Sequence, residues 1–128
     1  MAIEMVSYLL VGAGGALGAM ARFGVGRLLP VGGWPWATFA VNIVGGLLMG
    51  LLVGWLALRE GGTQETWRLF LGVGLLGGFT TFSAYSLEII LMVERGDAGL
   101  ALAYALSSML LAAVALFFGL WLMRTVTA

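Results

Sequence analysis

The sequence predicts an all-α integral membrane protein with four transmembrane helices, the third broken near its middle. Three observations carry that prediction. Of the 128 residues, 62% are hydrophobic and 9% charged, with a mean hydropathy of +1.08. Such a chain cannot cover itself with a polar exterior, so the bilayer is its solvent. Four continuous apolar windows, residues 5–29, 34–58, 67–93 and 98–123, each supply the roughly 20 residues that cross a hydrocarbon core. Within the third window stand Gly77-Gly78 and Thr80-Thr81, poor material for a helix interior. The apolar runs do not alternate with period two, which favours helices over barrel strands. One domain spanning residues 1–128 is the natural count at this length.

The first window carries Gly14 and Gly18 and approaches its end at Arg22. That arginine either snorkels to the headgroups or lends positive potential to a pore mouth. Residues 30–35 (PVGGWP) then turn the chain into the second window. There Thr38 and Asn42 lie four apart on one helical face. The Asn42 amide is either a donor for an ion or half of an interhelical hydrogen bond. Gly46, Gly50 and Gly54 follow on one stripe, and residues 59–68 (REGGTQETWR) close the span. The third window brings Gly74 and Gly78 at the same spacing. These four-residue glycine repeats let helix backbones approach closely in lipid.

The run from Gly77 to Glu88 is the most polar stretch at membrane depth. A break there frees backbone carbonyls and amides that protein, water or an ion must satisfy. The alternative is a tight crossing in which the hydroxyls bond back to the preceding turn. Glu88, less than two turns before the loop at residues 94–97 (ERGD), either caps its helix or faces a vestibule. In the fourth window Tyr104 and Ser108 are again four apart, with Ser107 beside them. Tyr104 is either part of a polar track or an interfacial anchor. Four short helices enclose little space, so a two-fold dimer is expected.

Composition excludes several classes of function. Formal net charge is zero, which offers no broad attraction for nucleic acid. Histidine and cysteine are both missing, and with them the usual zinc, haem and thiol chemistries. No nucleophile–base pair or carboxylate dyad lies in the membrane windows, so an enzyme is not expected. Glu4 stands where a signal peptide would carry basic residues. Arginines divide evenly between the two sides: Arg59, Arg68 and Arg124 against Arg22, Arg27 and Arg95. An even tally predicts insertion in both orientations and an antiparallel dimer; a buried arginine miscounted as a loop charge is the competing reading.

Three motifs in order resemble those of the small bacterial fluoride channels, the Fluc or CrcB family, and the likeness covers almost the whole chain. They are Gly14 to Phe23 (GGALGAMARF), Trp36 to Gly45 (WATFAVNIVG) and Gly77 to Glu88 (GGFTTFSAYSLE). The resemblance implies an antiparallel, dual-orientation homodimer in a bacterial plasma or inner membrane, with two fluoride pathways. It also implies a structural sodium ion at the dimer centre, held by the backbone carbonyls of Gly77 and Thr80 from both protomers. Phe82 and Tyr85 would form the aromatic pair of each pathway, Asn42 its amide, and Tyr104 and Ser108 its track on the fourth helix. Thr38, Thr81 and Ser83 complete the expected pathway, with Arg22 and Glu88 at its entrance.

The chain departs from the family pattern in places. Tyr85 stands where a phenylalanine is expected, Ala84 replaces a threonine, Phe79 replaces a leucine, and Ala112 interrupts the hydroxyl track. A tyrosine keeps the positive ring edge that meets an anion but adds a hydroxyl donor, so conduction at an altered rate is expected. A small multidrug exporter would need a carboxylate inside the first span, and the only acid near it is Glu4. A helical scaffold would leave the Thr80–Ser83 cluster without a purpose.

Overall fold

In lipid every backbone amide and carbonyl must find a partner inside the protein, and continuous helices meet that demand within each segment. The computed structural model describes residues 1–128 and is helical almost throughout. Helix α1 (Ala2–Leu28) is followed by α2 (Trp36–Leu56). The third span, Gln64–Glu94, begins with the short α3 (Gln64–Trp67) and widens into a π-type stretch (Arg68–Leu76). It then makes one last turn as α4 (Gly77–Phe79) and resumes as α5 (Phe82–Glu94). Helix α6 (Ala98–Val126) completes the fold. All four spans are long and apolar enough to cross a membrane. At 1.5 Å per residue, the 27 residues of α1 extend about 40 Å, enough to span with tilt.

The boundaries have local causes. Pro30 pushes the residue before it out of the helical region, and Leu29 is extended at φ −96°, ψ 153°. Helix α1 starts at Ala2, three residues ahead of the apolar window, because Ala2-Ile3-Glu4 continue the helix into the interface. The α2 C-terminus is closed by Gln64, whose side-chain amide donates to the Leu56 carbonyl at 2.7 Å. Gly61 and Gly96, at φ +109° and +87°, supply the left-handed turns of the two loops.

Two helix pairs make the framework. Helix α1 lies along the π-type stretch and α4, and α2 lies along α6. Both crossings are made by the glycines of the sequence stripes. A Cβ on Gly14 would meet the Leu75 amide at 2.8 Å, and one on Gly18 the Phe79 amide at 2.8 Å. Gly74 and Gly78 return the contact, against Gly14, Gly15 and Ala19. On the other pair, Gly46 and Gly50 face the carbonyls of Ala112 and Leu116, Gly54 faces Met123, and Gly119 faces Leu47. Backbone-to-backbone approach replaces the hydrophobic effect, which is lost between helices in lipid.

Only 17 of 128 residues are buried, and the exposed side chains are dominated by leucine, valine, methionine and phenylalanine. An exterior of that kind requires hydrocarbon or another apolar surface around it.

Candidate functional site

The break lies at Thr80 and Thr81, extended at φ −89°, ψ 157° and φ −148°, ψ 121°. Each group it exposes has a specific fate. The Thr81 N–H, which would close the next turn onto Gly77, donates instead to Asn42 Oδ1 at 2.9 Å. In return, Asn42 Nδ2 donates to the Thr81 carbonyl at 3.0 Å. The Ala84 N–H, which would otherwise reach the Thr80 carbonyl, is capped by Thr81 Oγ1 at 3.2 Å. Arg22 Nε donates to the Gly78 carbonyl at 3.1 Å. The carbonyls of Gly77 and Thr80 thereby lose their helical donors. The Thr80 hydroxyl still bonds back to Leu76 O and the Ser86 hydroxyl to Phe82 O, both at 2.9 Å, and Gly78 packs closely on α1, so the features of a tight crossing stand beside the break.

Oxygen atoms left without donors at membrane depth suit a hard monovalent cation better than they suit lipid. The donor set at Gly77 and Thr80 therefore fits the sodium ion that the resemblance implies.

Above the break a polar cluster is assembled from three helices. Glu88 Oε1 accepts from the Thr38 hydroxyl and Oε2 from the Tyr104 hydroxyl, both at 2.7 Å. Tyr104 is 0% exposed, so it is no interfacial anchor. Its ring sits among Trp34, Phe39 and Tyr85, with Trp34 edge-on at 5.4 Å and 90°. Glu88 neither caps its helix nor hangs free. It is the acceptor that collects two hydroxyls, while a cavity of about 240 Å³ at that end of the bundle is lined by Glu88, Thr38, Trp34 and Arg95.

Tyr85, the main departure from the family pattern, donates its hydroxyl to the Ala105 carbonyl at 2.6 Å. Its ring lies tilted between those of Phe82 and Tyr104, with centroids 5.6 Å and 5.4 Å away. Phe82 itself is 79% exposed on the single chain. Ser108 is buried and its Oγ has no hydrogen-bond partner. Ser83 is exposed, 3.4 Å from the Thr81 hydroxyl. Asn42, Thr80, Thr81, Phe82 and Ala112 together line a groove beside the break. The structure thus gathers Thr38, Asn42, Thr81, Tyr85, Glu88 and Tyr104 into one seam from the break to the membrane end. Phe82 and Ser83 stand at its open side. Sequence reasoning missed Trp34, whose ring covers Tyr104. Its place in the PVGGWP turn gave no periodic signal.

Comparison with known proteins gives the chain a family. Residues 9–120 match the family model described as "CrcB-like protein, Camphor Resistance (CrcB)". The chain is 64% identical over 127 residues to a "Fluoride-specific ion channel FluC" of Phenylobacterium zucineum, covering 97% of this chain and 100% of that protein. It is 54% identical over 127 residues to a protein of the same name from Caulobacter vibrioides, with the same coverage. It is 47% identical over 125 residues to "Fluoride-specific ion channel FluC 2" of Nitrobacter hamburgensis, covering 95% and 100%.

Proposed function

The chain belongs to the CrcB-like family, and from that membership we propose that it is a fluoride-selective channel through which fluoride leaves the cell passively. It is a multi-pass bacterial membrane protein, and its relatives are named as ion channels instead of enzymes. The observation that carries the proposal is the broken third span with its seam of hydroxyl, amide and ring-edge groups. Fluoride is small and holds its water tightly. A pathway for it must offer replacement donors without a fixed full charge that would trap the ion.

In this reading Phe82 and Tyr85 present positive ring edges to the anion. The Ser108, Ser83 and Thr81 hydroxyls and the second N–H of Asn42 supply donors. Tyr104 and Thr38 have their protons committed to Glu88, so they shape the seam and leave direct donation to the others. Glu88 and Arg22 stand at its entrance. Sodium would be held by the Gly77 and Thr80 carbonyls, and when bound it supplies a fixed positive potential at the centre of the assembly.

The functional unit is an antiparallel homodimer. The exposure of Phe82 and the open side of the groove beside the break support it, because a second protomer would cover both. Dual insertion is supported by the arginine balance. With Arg22 turned into the bundle, Arg27 and Arg95 remain on one side against Arg59, Arg68 and Arg124 on the other, a difference of one. Expression in a bacterial strain that cannot export fluoride tests the physiological reading. Restored growth on fluoride medium is expected, and unrelieved sensitivity despite membrane insertion would reject it. Reporters fused to the C-terminus should give signal on both sides of the membrane.

A further inference from the structure

Two arginines stand in the last turns of α1. Arg22 and Arg27 line the same groove, of about 330 Å³, between α1, α2 and α5. Its inner end is Thr81, the residue clamped to Asn42 at the break, and Thr38 forms part of its wall. Arg27 is five positions beyond Arg22, so their Cα atoms are offset by about 7.5 Å along the axis. Arg22 spends Nε on the Gly78 carbonyl, and Arg27 makes no ion pair or hydrogen bond. No carboxylate lines the groove. The nearest acid in the seam, Glu88, lies behind Thr38 with both oxygens already accepting hydroxyl protons. Arg95, by contrast, stands 3.8 Å from Asp97.

We propose that Arg27 is an anion-collecting residue, whose unpaired guanidinium at the outer end of this groove raises the concentration of fluoride delivered towards Arg22 and Thr81. The inference rests on the channel reading and goes beyond it by assigning capture to a residue outside the polar seam. A groove with low-dielectric walls and one sign of charge focuses the field, and the effect falls as salt screens it. Position on the last turn of α1 also lets Arg27 complement the helix dipole. That role alone would lower thermal stability and leave the efflux rate per folded channel unchanged.

The test is fluoride efflux from phosphatidylcholine proteoliposomes at fluoride below saturation, in low and in high concentrations of an impermeant salt. Arg27→Gln should slow initial efflux about two- to five-fold at low salt, as expected for one charge several ångströms from the ion path. Arg27→Lys should restore most of the rate. High salt should slow the wild type and bring it level with Arg27→Gln. Equal rates at low salt, or a deficit of the same size at both salts, would overturn the proposal. So would a deficit seen only when phosphatidylglycerol is added, which would assign Arg27 to lipid headgroups. A wild type that releases no fluoride would overturn the channel reading and this inference with it. A conducting wild type with an unaffected Arg27→Gln would overturn this inference alone.

Discussion

Replacing Tyr85 with phenylalanine removes one atom and separates two accounts of the phenol. The hydroxyl donates to the Ala105 carbonyl at 2.6 Å, a bond from α5 to the backbone of α6. It is therefore a tether between helices. Ala105 lies inside α6, so its carbonyl keeps its helical donor when the hydroxyl is gone, and no polar group is orphaned. Interhelical side-chain hydrogen bonds in membrane proteins contribute about 0.6 kcal/mol on average and about 1.7 at most. For an assembly the size of a dimer of this chain, each kcal/mol moves the melting temperature by about 2–4 °C. Tyr85→Phe should thus lower the Tm of the detergent-solubilised protein by a few degrees at most. Fluoride efflux from proteoliposomes should stay within about two-fold of the wild type, because the ring and its contacts with Phe82 and Tyr104 remain. Tyr85→Leu removes the ring and should reduce efflux at least about tenfold. A tenfold change in efflux for Tyr85→Phe corresponds to about 1.4 kcal/mol at the barrier. That result would place the hydroxyl on the ion and refute the tether.

Other substitutions probe the break and the crossings. Asn42→Asp keeps the acceptor for Thr81 N–H but sets a carboxylate against the Thr81 carbonyl, so efflux should be suppressed and Tm lowered; unchanged efflux would remove Asn42 from the pathway. Glu88→Gln leaves a single oxygen acceptor for two hydroxyls, and unfolding measurements should report a loss of about 1–3 kcal/mol; unchanged stability would show that the two bonds to Glu88 do not hold the cluster. Gly50→Val would drive a side chain into the Leu116 carbonyl of α6, and size-exclusion chromatography should show loss of folded protein.

The spans were legible because apolar length is read directly from sequence, and the glycine stripes marked the helix faces that meet. The break was legible for a similar reason: Gly-Gly and Thr-Thr in mid-span are costly unless the helix stops. Partners were not legible. Asn42 and Thr81 are 39 residues apart, and nothing in either segment shows that the amide is spent on both backbone groups of one threonine. Tyr104 near the start of α6 read equally well as an interfacial anchor. Its enclosure depends on Trp34, delivered by a loop with no periodicity. The π-type stretch of Arg68–Leu76 also left no pattern in the sequence, since its apolar residues fit an ordinary helix equally well.

What crosses the membrane decides whether this protein is a fluoride channel. Purified protein reconstituted into liposomes loaded with both fluoride and chloride, and followed with ion-selective electrodes, should release fluoride without an energy source while chloride stays inside. Release of both anions at one rate, or retention of both, would contradict a passage lined by ring edges and hydroxyls that selects the smaller halide.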